Sequence, residues 1–345
     1  MDDLSSLPLS YASVSIGYKP AHTLPLKLDA IASAGFQAIE LGMPDLVSFA
    51  NLHFKTDKIT DHAWEDLTAA ARALKPILSA KNLKVLMLQP FANFEGWAEN
   101  SPERKDAWER VENWTNIMQV LGCDMLQVGS SDSPPENIGT DRGRFVEDLR
   151  QLADVLDKKG MRIAYENWCW STHAPDWKDV WEICKDVDRG NFGLCLDTFQ
   201  SAGGEWGDPR TRSGIVEDGR SREEVTRDWK RSCAELSNTI PKEKIFLLQI
   251  SDAYRLKEPL EAREIDGMRP RARWSHDFRP LPFDEGYLPV VDFTRAVLDT
   301  GFRGWFSYEI FDGGPDGKGK AYELEDLAQQ AMGSQGKLVE AVRDA

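Results

Sequence analysis

The stretch RIAYENWCW, Arg162 to Trp170, decides how this chain reads. Ile163, Ala164 and Tyr165 have the character of a short buried strand. Glu166 stands where that strand should end, followed by Asn167 and the tryptophans Trp168 and Trp170. A carboxylate at the mouth of an apolar strand is costly to desolvate unless something pairs with it. Three later apolar runs end in the same way: Asp197 in FGLCLDTFQ, Gln249 in IFLLQISDA and Glu309 in WFSYEIFDG. Four oxygen-bearing side chains at the ends of four successive strands point to a metal site.

Outward from this stretch, apolar runs of strand length alternate with amphipathic runs of helix length. Tyr11–Ile16, Ala38–Leu41, Lys84–Leu88 and Met125–Val128 precede it as strands, and Phe192–Leu196, Ile245–Ile250 and Gly304–Tyr308 follow. Helices are expected over 24–34, 61–80, 103–121, 142–159, 177–187, 222–237, 292–299 and 321–342. Gly35, Gly122 and Gly160 follow three of them as stop signals, and Ser101-Pro102 opens another. Eight βα units in strict alternation predict a parallel (β/α)8 TIM barrel in one domain over residues 1–345. A doubly wound sheet is the competing fold; it would want a phosphate loop after the first strand, and SIGYKPAH is not one. Helix-to-strand turns are short, as at Ala34-Gly35-Phe36. Strand-to-helix loops are long, above all 201–221 and 252–291. In a barrel those loops gather at the carboxyl ends of the strands, where chemistry sits.

Composition narrows the function classes. Hydrophobic residues make up 41% of the 345 and charged residues 29%, as in a soluble globular protein. A net charge of −15 repels phosphate backbones and anionic membranes, so neither nucleic acid nor membrane is an expected partner. The five cysteines form no CxxC pair and read as buried free thiols of a reducing compartment. The N-terminal MDDLSSLPLSY lacks the basic flank and apolar run of a signal peptide, and no stretch reaches membrane-span length, so the cytoplasm is expected. A homo-oligomer is compatible with all of this.

Strands five to eight are neighbours around half of a barrel, so Glu166, Asp197, Gln249 and Glu309 should converge. Three carboxylates and an amide oxygen make a hard donor set that suits Mn²⁺, Mg²⁺ or Co²⁺ better than zinc. The alternative is four unrelated polar groups paired with Arg or Lys at the rim. Of the five histidines, His173 in STHAPDW is the first candidate for a general acid or base; otherwise it caps the helix that starts near Asp176. His276, in the long seventh loop, is the second candidate. His53 is placed in a loop after the second strand. Glu40 and Gln89 end the second and third strands and could bind substrate hydroxyls, or simply bond at the rim. Trp168, Trp170, Phe199 and Trp274 could wall a ring, with core packing as the plainer reading. Arg271, Arg273 and Arg279 suit either an anionic substrate group or a salt-bridge network that pins the seventh loop. Gly203-Gly204 reads as a flexible loop over the site.

The phrases HTLPLKLDAIASAGFQAIE, LQPFANFEGW, YENWCWSTH, VDRGNFGLCLDTFQSAGG, LLQISDA, WSHDFRPLPFDEGYLPV and GFRGWFSYEIF resemble the xylose isomerase-like TIM-barrel superfamily. Within it the chain is most similar to the 3-dehydroshikimate dehydratases of fungi and bacteria. The resemblance implies that Glu166, Asp197, Gln249 and Glu309 hold one divalent metal, and that His173 occupies a loop where the family has a histidine. It also implies that Trp168, Gln200 and Arg279 meet the substrate. The chain departs from the dehydratases in reading Trp274-Ser275-His276 where they have an arginine third, and in Gln200 where His or Asn is common. A site of this kind enolises a ketone. Loss of a β-hydroxyl then gives dehydration, and return of the proton elsewhere gives epimerisation or isomerisation. The expected activity is therefore a metal-dependent dehydratase acting on a polyhydroxylated keto ring. A ketose isomerase or epimerase and a non-catalytic metal- or sugar-binding barrel are the alternatives.

Overall fold

The computed structural model describes residues 4–344; Met1, Asp2 and Asp3 of the N-terminal segment, and Ala345, lie outside the described residues. In chain order the strands are β1 (Leu9–Ala12), β2 (Ala38–Gly42), β3 (Lys84–Phe91), β4 (Met125–Gly129), β5 (Arg162–Glu166), β6 (Phe192–Asp197), β7 (Ile245–Ile250), β8 (Phe278–Arg279), β9 (Trp305–Tyr308) and β10 (Phe311–Asp312). All but β8 and β10 join a closed parallel barrel, in which β9 returns to pair with β1. Helices wrap the outside. That over Pro102–Leu121 begins at the expected place, with the Ser101 side chain accepting the Arg104 N–H at 3.1 Å. It stops at Gly122, whose φ of 75° is left-handed backbone that glycine adopts at little cost.

Three segments differ from expectation. The first strand covers Leu9–Ala12, not Tyr11–Ile16, because Ser13–Ser15 forms a 3₁₀ turn whose Ser13 hydroxyl accepts the Gly42 N–H at 3.0 Å. Met43–Phe54 is a helix, opened by Pro44, and His53 lies in its last turn, not in a loop. Thr198–Glu205 is also a helix, so Gly203 and Gly204 are helical residues, packed beside Trp274 and Pro175, and not a flexible cover. Among the described residues no helix is long and apolar enough to cross a membrane. All five cysteines are buried free thiols.

The barrel positions the site through the two-residue period of its strands. Inside, Ala38, Met87, Met125, Ala164, Cys195 and Leu247 form an apolar floor. Two residues further along the same strands stand Glu40, Gln89, Gln127, Glu166, Asp197 and Gln249, all buried. Glu309 follows β9 at the equivalent height, two residues after the inward Ser307, which pairs in register with Gln249. The opposite faces, such as Tyr165 and Leu196, pack against the helices in the main core. The long segment after β7 carries the helix Pro270–Asp277 and then β8, which pairs antiparallel with β10 in the register Arg279↔Phe311. That pairing folds the segment back across the mouth of the barrel.

Candidate metal centre

Glu166, Asp197 and Glu309 each present a carboxylate oxygen to one point, all within 4.8 Å of one another. Each is also tethered by its other oxygen or by a neighbour. Gln127 Nε2 donates to Glu166 Oε2, and Trp168 Nε1 donates to the same atom at 3.3 Å. Asp197 Oδ1 accepts the N–H groups of Phe199 and Gln200 at 2.6 and 3.0 Å, which makes it the N-cap of the helix Thr198–Glu205. Gln89 Nε2 donates to Glu309 Oε1 at 2.9 Å. The Arg279 guanidinium, only 1% exposed, bridges Asp197 Oδ2 and Glu309 Oε2, the latter at 3.1 Å.

Burial raises the carboxyl pKa of all three, and crowding by the other two adds to this at Glu166. At Asp197 and Glu309 the Arg279 charge opposes the rise without cancelling it. Below them Glu40 is pushed up to about 8, first by burial and then by the charge of Glu309. Desolvation leads in each case, and neighbouring carboxylates add to it at Glu166, Glu309 and Glu40.

The cluster opens on a cavity of about 170 Å³. Gln89, Trp168, Gln200, His276 and Arg279 line it. Trp168 and Trp170 stack at 5.3 Å along one wall, and His276 is exposed at the rim. A larger groove of about 740 Å³ lies between outer helices around Trp64 and Asn113, and none of the clustered carboxylates reaches it.

Other candidates fall elsewhere. His173 is not at the cavity: its loop turns back behind β5, where Nε2 bonds Glu95 at 2.9 Å and the ring stacks on Phe145. Glu40 is fully buried and does not line the cavity; its Oε2 accepts from Gln249 Nε2 at 2.8 Å. Gln249 lies between Asp197 and Ser307 in the sheet register, and its oxygen accepts weakly from the Cys195 thiol at 3.3 Å. Phe199 and Trp274 are core residues, packed with ring centroids 5.0 Å apart and planes tilted by 58°. Arg271 and Arg273 pin the seventh loop through carbonyls such as Gly203 O and Glu261 O. Gln127 and Glu95 escaped the sequence reading. Gln127 carried a usable signal, since it stands two residues after inward Met125 as Glu166 does after Ala164.

A family model described as "Xylose isomerase-like TIM barrel" matches residues 28–334. The chain belongs to this family. A 3-dehydroshikimate dehydratase of Neurospora crassa is 33% identical over 97% of this chain and 94% of its own length. One of Pseudomonas aeruginosa is 31% identical over 88% of this chain, which spans 38% of that longer protein. A solved fusion of a xylose isomerase-like TIM barrel with a 4-hydroxyphenylpyruvate dioxygenase superposes with a TM-score of 0.72 at 28% identity, covering 98% of this chain and 43% of that one.

The residues at this family's barrel mouth fit a metal ion. Three buried carboxylates face one guanidinium, and Glu166 Oε1 is buried with no hydrogen-bond partner among the described residues. Two uncompensated negative charges and a free carboxylate oxygen suit a divalent cation.

Proposed function

We propose that this protein is a divalent-metal-dependent dehydratase that converts 3-dehydroshikimate to protocatechuate and water. The observation that carries the reading is the convergence of Glu166, Asp197 and Glu309 on one point at the floor of a cavity of about 170 Å³. The likeness to the Neurospora dehydratase along nearly its whole length supplies the substrate. Glu166, Asp197 and Glu309, joined by the Gln249 amide oxygen, would hold Mn²⁺, Mg²⁺ or Co²⁺. Such a cation supplies charge stabilisation to a ketone oxygen as the neighbouring C–H bond breaks.

The rest is the work of side chains. The Trp168–Trp170 stack offers a flat face to a six-membered ring. Gln200 accepts the Cys169 N–H at 2.9 Å through its oxygen, which leaves its amide donor for a substrate hydroxyl. His276 takes the proton. Desolvation by its neighbours lowers its pKa, opposed by Asp277 and helped by the Arg279 charge, which favours the neutral imidazole that a base requires. The electron pair of the broken C–H bond then expels the β-hydroxyl, which leaves as water with the proton that His276 took, and transfer of a further ring C–H proton to the ketone oxygen leaves an aromatic ring.

The test is direct. Purified protein with Mn²⁺, Mg²⁺ or Co²⁺ and 3-dehydroshikimate should develop the ultraviolet absorbance of an aromatic acid. No absorbance change, together with conversion of a free ketose, would replace this reading with an isomerase.

A further inference from the structure

Behind the wall of the barrel, on the helix side of β5, lies a second buried carboxylate. Glu95 is fully buried, and its Oε1 accepts three hydrogen bonds of 2.9 Å each, from His173 Nε2, the Tyr165 hydroxyl and the Ser131 N–H. The His173 side chain is 8% exposed and lies on the Phe145 ring, with centroids 4.0 Å apart. A buried polar cluster is a weak source of stability, because desolvation consumes most of its attraction. Its geometric effect is larger, since one carboxylate oxygen ties together four stretches of chain. These are the segment after β3, the segment after β4, β5 itself and the loop after β5.

The loop after β5 builds the cavity wall. Its outer side is fastened by Arg269, which donates to Trp170 O at 2.7 Å and to Thr172 Oγ1 at 2.8 Å. Its inner side is fastened at His173. Just ahead of both fastenings in the same loop, Trp168 is pressed on the backbone of Gly129 so closely that a Cβ there would come within 2.2 Å of the indole. From that position Trp168 Nε1 reaches Glu166 Oε2. A slackened loop would therefore move the wall and the donor on a cluster carboxylate together.

We propose that Glu95 and His173 are positioning residues for the reaction: the pair holds the loop 167–176 so that Trp168 sets the shape of the cavity and the orientation of Glu166. Neither touches substrate. The kinetic part of the test rests on the dehydratase reading; the exchange part does not.

The test compares three substitutions in the full chain with Mn²⁺ bound. His173→Phe keeps the stack on Phe145 and removes the donor. His173→Gln keeps an N–H donor, and Glu95→Gln keeps the volume and an acceptor oxygen without the charge. In His173→Phe, amide hydrogen exchange within 167–176 should rise at least about tenfold while the barrel strands keep their protection. KM for 3-dehydroshikimate should rise about tenfold, with a smaller change in kcat. His173→Gln should recover most of both, and Glu95→Gln should show the same local pattern at smaller amplitude. Unchanged exchange in 167–176, acceleration spread evenly over the barrel, or a loosened loop with unaltered kinetics would each overturn the proposal. If the unmodified protein fails to turn over 3-dehydroshikimate, the dehydratase reading falls. The exchange pattern still decides whether the pair holds the loop.

Discussion

Adjacent residues of β5 serve two buried acidic clusters on opposite faces of one strand. Glu166 points into the barrel, where three carboxylates share one guanidinium. Tyr165 points outward, where a single carboxylate, Glu95, is met by an imidazole, a phenol and a backbone amide. Both are desolvated, yet their carboxyl groups shift in opposite directions. Burial raises those of the inner cluster. At Glu95 burial also pushes upward, but the hydrogen bond and charge of His173 together with the backbone N–H groups of Ser131 and Glu95 leave the pKa lowered. The difference teaches that burial alone does not mark a ligand site. Charge left over after every local donor has been counted does.

The sharpest way to break this comparison is to remove one inner charge. Glu309→Gln should abolish Mn²⁺ binding by calorimetry and lower turnover by about a hundredfold or more. Retained stoichiometric metal would take Glu309 out of the centre. The next largest effect concerns the one inner cation. Arg279→Met leaves Asp197 and Glu309 buried without their partner, so the metal-free protein should lose about 3–5 kcal/mol. Added Mn²⁺ should restore part of the lost Tm. If the metal-free Tm is unchanged, Arg279 does not compensate the cluster.

The smallest effect tests the opposed signs. Glu40, raised from 4.5 to about 8, binds its proton more tightly in the folded chain. Its contribution is therefore complete below 4.5 and lost as pH rises through about 8, which gives the metal-free protein a falling alkaline limb of Tm against pH. Glu95 is lowered, so its contribution is present above the ordinary carboxylate range and lost as pH falls through its folded value. Glu40→Gln should flatten the alkaline limb and Glu95→Gln the acid limb. The reverse assignment would contradict the comparison.

The inner cluster was legible in the sequence because strand and side-chain periods coincide. A polar residue two positions after an apolar inward one, repeated on successive strands, announces a polar layer above an apolar floor. The fold was legible for the same reason, with glycines marking where helices end. What remained hidden depends on contacts far apart in the chain. Arg279 meets Asp197 across 82 positions, and no local pattern foretells that pairing. Glu95 lies in FANFEGW, outside any strand, so its meeting with His173 across 78 positions had no periodicity to reveal it. His173 therefore read as a mouth residue, from its loop position, its imidazole and the family's histidine in that loop. The helix Thr198–Glu205 was obscured by its own glycines, and its cap, Asp197, had already been assigned to the metal.

Each cluster carboxylate spends one oxygen on the protein's own donors: Asp197 Oδ1 on a helix start, Glu166 Oε2 on Gln127 and Trp168, Glu309 Oε1 on Gln89. The second oxygens of Asp197 and Glu309 lie on Arg279, and of the three side chains only Glu166 keeps an oxygen, Oε1, without a partner among the described residues. A cation bound here would compete with the guanidinium for two of its three carboxylates, so Arg279 sets how much charge an ion must bring to displace it.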